Sequence, residues 1–424
     1  MKTTSVWARA LSCVLLAGTA FCGLFAAPAA AQEASVVAFP VRQFPDENGV
    51  DLLSGVFTAY SPSVSIGSAE MGLTYFRAVR ANLYRDSMMG SIDASGSTYR
   101  VDIAGNSEAF TLSGGVFTPV EQNGSSLSLS GGIYTYRRGD GTTATFTSTV
   151  RDFGNAAGIV ITSLVYPSGR SLTFHYVEAN WTGPNGTKRG RRLQSVTTNA
   201  GYHLKLSYVG EVPDGPLGGT WSKMARVKAL NSAADPCDVS APTCPQTGRP
   251  ELNMPVNGGV HSYIDSEGRS TSYTFTGGTV TGVRFPGSAS DDIAIAYSSG
   301  KVSSVTNAGV TTTYAYSDLN GVRTVTSTRP GNAVRVVTFD IAKSVMLSDQ
   351  DELARTTSYQ HDASNRPTRV TRPEGNYTAL LYDARGNVTE MRSVAKPGSG
   401  LPDMVATAIY DPSCVVAVKC NKPN

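Results

Sequence analysis

Short apolar-polar alternations, not three-to-four spaced stripes, run through almost the whole chain. "VSIGSAEMGLTYFRAV", "GIYTYRRGDGTTATFTS" and "SLTFHYV" send side chains to opposite faces in turn, with Gly, Asn, Asp or Pro at the gaps. That pattern belongs to strands joined by tight turns, and the fold class it predicts is all-β. In "RRGDGTTATF", Asp140-Gly141 supplies residues that tolerate positive φ, so a hairpin is expected. The Arg138-Gly139-Asp140 triplet is read as part of that turn and not as a recognition motif. One segment, "TWSKMARVKALNSA", places Trp221, Met224, Val227 and Lys228 on one helical face, and reads equally as a strand entering the next loop. The basic run "NGTKRGRR" reads as a solvated loop.

From about residue 260 a longer period appears. Phe275, Tyr297, Tyr316, Phe339, Tyr359, Tyr382 and Tyr410 each close an apolar strand and precede a polar turn, at intervals of about twenty residues. "VTTTYAY", "AVRVVTF" and "NYTALLY" are such strands, each followed by a turn and a return strand. An isolated hairpin is marginal in water, so successive hairpins are expected to stack edge to edge, with the rings in a row along one face. This organisation divides the chain into a signal peptide, 1–31; an N-terminal β-rich region, 32–160; degenerate repeats with a cysteine loop, 161–259; and an array, 260–424, that reads as truncated in mid-unit after Tyr410.

The unit "YDARGNVTEM" resembles the YD repeat of the RHS (rearrangement hotspot) proteins, through Tyr382, Asp383, Gly386 and Asn387. Tyr297 with Gly300, and Tyr316 with Asn320 and Gly321, fit with shifted spacing; Phe339 replaces the tyrosine in one copy. The resemblance implies a β-hairpin spiral forming part of a shell, which in bacterial relatives encloses a toxin. It also implies carbohydrate binding or cell-surface contact. The self-cleavage segment and toxin domain of toxin-bearing members are not recognisable here. The implied partners are therefore downstream RHS repeats or a toxin on another chain, or glycans.

Composition narrows the remaining possibilities. Lys2 and Arg9, an apolar core and Ala29-Ala30-Ala31 read as a signal peptide cleaved after Ala31, predicting a secreted or cell-envelope protein. Its removal brings the formal net charge of +3 close to neutral, which gives no electrostatic case for nucleic acid. No later stretch is apolar enough to suggest an integral membrane segment. In an oxidising compartment the pairs Cys237/Cys244 and Cys414/Cys420 are disulfide candidates, with free thiols as the alternative. A Cys414–Cys420 bridge would blunt the apolar "VVAV" edge.

No catalytic or cofactor motif is found, and no cofactor is expected. His175, His203, His261 and His361 are scattered among β segments. "DENGVD", Asp46–Asp51, has the oxygens of a calcium loop without its length, and is read as a plain turn. Neither a metal site nor an enzymatic activity is predicted. Trp181 and Trp221 are the first candidates for rings that contact a ligand.

Overall fold

The computed structural model describes residues 42–80, 83–149, 158–183, 186–214, 216–257, 260–413 and 420–423, all within one unit, Val36–Asn424. The expected signal peptide and Cys414 lie outside the described residues. Among those described, helix is confined to two 3-10 turns, Pro216–Ser222 and Pro330–Asn332; everything else regular is strand. The ambiguous "TWSKMARVKALNSA" ends a 3-10 turn at Ser222 and becomes the strand Met224–Asn231. The "NGTKRGRR" run is also not a loop. From Gly186 on it lies in the long strand Gly186–Thr198, paired with Ser171–Gly183, where Arg191 reaches Glu178 and Arg192 is buried.

From Gly158–Val165 to Met404–Thr407 the described strands form a meander of antiparallel neighbours; Gly158–Val165 spans the expected boundary at 160, and strands on either side of that at 259 pair with each other, Leu252 facing Asp265. The strand Gly158–Val165 is a fork. One edge pairs with Thr143–Thr149, while the other divides between Gly90–Ser95 at its start and Ser171–Gly183 at its end.

A recurrent register shift organises the meander. Thr274 faces Gly282 but Phe275 faces Val280, so Thr281 is an extra residue on the return strand. The same shift leaves Ser303, Leu347, Thr368 and Thr389 unopposed, and earlier Thr162, Gln194 and Ala225. A bulged residue reverses the alternation beyond it, so residues three apart come to the same face. Val280 and Val283, Val302 and Val305, Leu193 and Val196, Ile161 and Leu164, and Met224 and Val227 are all buried as a result. The residue opposite the bulge on the outgoing strand is an aromatic in nearly every case: Phe146, Tyr176, Tyr208, Phe275, Tyr297, Phe339 and Tyr382.

Two kinds of turn recur. Two-residue loops carry two successive left-handed residues, as at Ser299-Gly300 (φ 50 and 75) and Asn320-Gly321 (φ 51 and 79), which matches the twist of paired strands. Five-residue loops with an aspartate at their head form the second kind. "RRGDGTTATF" folds as the expected hairpin, Ile133–Arg137 with Thr143–Thr149.

A leader segment, residues 42–55, crosses the apolar face of the array. Gly55 accepts from the amide of Val302 (2.8 Å), Leu53 from Arg323 (2.5 Å), and Asn48 donates to the Tyr314 hydroxyl (2.8 Å). Phe44 packs on Phe339 with centroids 4.9 Å apart, and Arg42 donates to the carbonyl of Asn365 (2.9 Å). Small sheets between Ala59 and Asp86 cover earlier strands, with Tyr273 donating to the Tyr60 carbonyl (2.7 Å) and Tyr75 buried against Asp86.

Burying a valine contributes about 1.5–3 kcal/mol. Val302 is 0% exposed and Val310, one hairpin turn later, is 51% exposed. Val302→Ala is expected to lower unfolding free energy by about 1–2.5 kcal/mol and Val310→Ala by less than about 0.5, read from urea denaturation midpoints.

Candidate functional site

The expected anchors divide by role. Phe339 is fully buried; Phe275, Tyr297 and Tyr316 are half-buried against the core. Tyr297, Tyr382 and Tyr410 each reach back one unit: their hydroxyls donate to the carbonyls of Val280 (2.8 Å), Pro367 (2.7 Å) and Val388 (3.0 Å). These carbonyls belong to the residues opposite Phe275, His361 and Tyr382, so each ring closes on the turn end of the preceding hairpin. Tyr359 is not the anchor of its unit. It pairs in register with Val370, and the shift falls two residues later, at His361. "HDASNRP" therefore aligns with "YDARGNV", a histidine standing where the aromatic is expected. Tyr316 pairs with Val325 with no register shift.

The aspartate that follows the anchor builds the turn. In Asp383–Asn387 the Asp383 amide donates to the Asn387 carbonyl (2.9 Å) and the Gly386 amide donates to the Asp383 carbonyl (3.1 Å). One carboxylate oxygen of Asp383 then accepts the amides of Arg385 and Asn387, both at 2.9 Å, and the other accepts the Asn387 side-chain amide (2.8 Å). Asp265, Asp351 and Asp362 repeat this arrangement, with the guanidinium Nε of Arg269, Arg355 and Arg366 as the last donor at 2.7, 2.8 and 2.7 Å. The fourth residue has positive φ each time: Gly268, Ala354, Asn365 and Gly386. "DENG" in the leader is the same turn. Asp46 accepts the amides of Asn48 and Val50, and since Val50 offers no side-chain donor, its other oxygen takes the Tyr314 hydroxyl.

These contacts hold the carboxylates in the charged form. Desolvation opposes ionisation of Asp265, Asp362 and Asp383, but the amide and side-chain donors outweigh it and keep all three below the usual carboxylate range. At Asp351 the Arg355 guanidinium is the leading cause of the same shift.

Arg366 joins two units. It binds Asp362, donates to the carbonyl of Asp383 (3.2 Å), and lies over the Tyr382 ring at 4.6 Å. The end of the array also meets the loop between the early hairpins. Arg42 pairs with Glu121 (2.9 Å), Asn421 donates to the Gly124 carbonyl (3.0 Å), and a Cβ on Gly386 would lie 2.0 Å from the carbonyl oxygen of Gln122. Gly386 and Asn387 thus sit at a contact between segments far apart in sequence, whereas Gly300 and Gly321 are at open hairpin tips.

The other candidates fall elsewhere. Trp221 is 2% exposed, with Arg192 over its ring at 5.0 Å, so it is a packing residue and not a surface ring. Trp181 is in the long hairpin, but its side chain lies outside the described part. Cys237 and Cys244 form a disulfide; Cys420 is buried, and the Cys414–Cys420 expectation rests on a residue outside the described range. His261 bonds the Tyr84 hydroxyl (2.6 Å), and His175 and His203 lie on the two strands that flank Gly186–Thr198, bonding its Thr197 (2.8 Å) and Ser195 (2.9 Å). Among the described residues, no three His, Cys, Asp or Glu side chains are grouped to hold a metal, and no helix is long and apolar enough to cross a membrane. A cleft of about 790 Å³ beside the leader is lined by opposed charges. Arg335 forks onto Asp349 (2.9 and 2.8 Å), and Arg355 meets Asp351.

The RHS Repeat family matches residues 361–396, a segment that starts at the anchor His361 and contains two aspartate-headed turns. The chain carries an RHS repeat. Solved structures similar to it include a TcdB2-TccC3-Cdc42 complex, 10% identical with a TM-score of 0.32, covering 82% of this chain and 23% of that one. A Photorhabdus luminescens Tc holotoxin pore is likewise 10% identical with a TM-score of 0.32, covering 84% and 23%. This chain spans about a quarter of the length of those chains. No curated protein matches the sequence.

Two tests follow from the turn geometry. Gly386→Ala meets both positive φ and the Gln122 backbone, while Gly300→Ala meets only positive φ, at a cost of about 1–2 kcal/mol. The first variant is expected to melt lower than the second in calorimetry. Because the aspartates titrate at lower pH when folded, their stabilisation is complete above the unfolded carboxylate pKa of about 4 and declines as pH falls toward the depressed folded values. Asp362→Ala is expected to cost about 1–2 kcal/mol at pH 7. It should also flatten the fall in urea midpoint below pH 4 relative to the parent chain.

Proposed function

We propose that this chain is a structural segment of an exported RHS-type shell, serving as a scaffold in cell contact or toxin delivery between bacteria and not as a catalyst. One observation carries the reading. The strand Met404–Thr407 pairs with Val388–Val394 on one side, no described strand pairs with its other side, and all four of its residues are exposed, Met404 by 73%. Leu381, Met391, Leu401 and Ile409 add exposed apolar side chains around it. An open apolar edge is a template for another strand, and further RHS repeats, or a chain that supplies them, have the chemistry to continue it. The repeat match at 361–396 lies immediately before this edge and supports the same reading. The composition of residues 1–31 supports export. Glycan binding is the weaker alternative, because it needs rings that face solvent, and the anchor tyrosines are instead bonded to neighbouring backbone.

Sedimentation velocity on the mature chain at rising concentration tests the proposal. Association through the edge is expected, weakened at least tenfold by Val405→Lys at an unchanged melting temperature. A parent chain that stays monomeric and folded at every concentration would overturn it.

A further inference from the structure

A row of polar residues crosses the sheet face opposite Leu204 and Leu206. Register places His175 beside Ser195, Ser195 beside Lys205, Lys205 beside Lys228 and Lys228 beside Glu251. In the repeats such positions are wet, as Thr311 and Thr313 are. Here Ser195, His203 and Lys205 are almost fully buried, Lys205 being 1% exposed.

What covers them is the loop closed by Cys237–Cys244. Lys205 donates to the carbonyls of Asp238 (3.2 Å) and Val239 (2.9 Å), and Ser195 donates to Val239 (2.7 Å). Gln194 donates to Pro242 (3.4 Å) and Lys228 to Cys244 (3.4 Å). All of these acceptors lie within the ring that the disulfide closes. A buried ammonium is costly unless its donors are met, and Lys205 is met by carbonyls and a hydroxyl, not by a carboxylate. The cover's roots are held separately, by Arg249 on Asp235 (2.6 Å) and by Gln246 on the Pro236 carbonyl (2.7 Å).

We infer that the Cys237–Cys244 loop is a redox-released cover whose opening exposes the Ser195–Lys205 row while the sheet beneath stays folded. A dithiol reductant opens it by thiol–disulfide exchange: the Cys237–Cys244 S–S bond breaks, each sulfur gains one electron and one proton, and the reductant becomes its own disulfide. The freed loop regains the conformational entropy that the cross-link removed, and its carbonyls no longer hold the fixed spacing that satisfies the two lysines. Lys205 has its pKa lowered to about 8, first by burial; release of the cover removes that cause and opens the amine to acylating reagents that cannot reach it in the closed state.

Amine acetylation followed by mass spectrometry tests this, with Lys396, whose side chain is 57% exposed, as internal reference. Without reductant, Lys205 is expected to label at least tenfold less than Lys396. With dithiothreitol, and in the Cys237→Ser/Cys244→Ser double variant without it, the ratio should rise at least tenfold with the far-UV β signal retained. Unchanged Lys205 labelling in both cases would overturn the inference. Labelling that rises only with loss of the β signal would overturn it too, since the bridge would then hold the sheet and not a cover.

Discussion

A single extra residue on nearly every return strand of the meander is the constraint on which the rest of the structure depends. Without it, strict alternation would send Val302 and Val305, or Val280 and Val283, to opposite faces. With it, both members of each pair are buried. The bulge also fixes where the aromatic stands, opposite the first residue of the pair and at the turn end of the hairpin. From there a tyrosine hydroxyl spans to the preceding unit's backbone, so one local irregularity sets both the core of a unit and its contact with the neighbour.

The turn beyond the bulge is fixed by electrostatics, not by packing. A carboxylate with two oxygens accepts two backbone amides and one side chain, satisfying donors that a five-residue loop cannot pair internally. An arginine in the fifth position gives the turn a second use, because the same guanidinium reaches the next unit, as Arg366 does toward Asp383 and Tyr382. The leader uses the turn in a third way, aiming the spare oxygen of Asp46 at a tyrosine of the array. The hairpins, their spacing and their attachment to the leader thus draw on one short motif.

Much of this was legible in the sequence. Alternation gave the all-β class, the aromatic spacing gave the array, and "YDARGN" gave the turn. The period-three signature of the return strands, visible in "VTGV", "VSSV", "LQSV" and "ITSL", was legible too but lies outside a period-two search. Missing it made Tyr359 the anchor of its unit in place of His361, since a histidine carries no apolar signal. The burial of Trp221 and of the Lys205 row could not be read at all. Both depend on cover from segments whose docking is set by tertiary contact, and polar strand positions look the same whether a loop or water lies over them.

Deleting the bulge residue tests the central claim most directly. Removal of Ser303 leaves the strand one residue short, so either Val302 or Val305 must leave the apolar face or the register with Ile293–Ser298 must slip. The urea midpoint of this deletion is to be compared with that of an Ala289 deletion in the exposed loop before that strand. The account predicts a large loss of stability for the first and a small one for the second. Equal midpoints for the two deletions would contradict it.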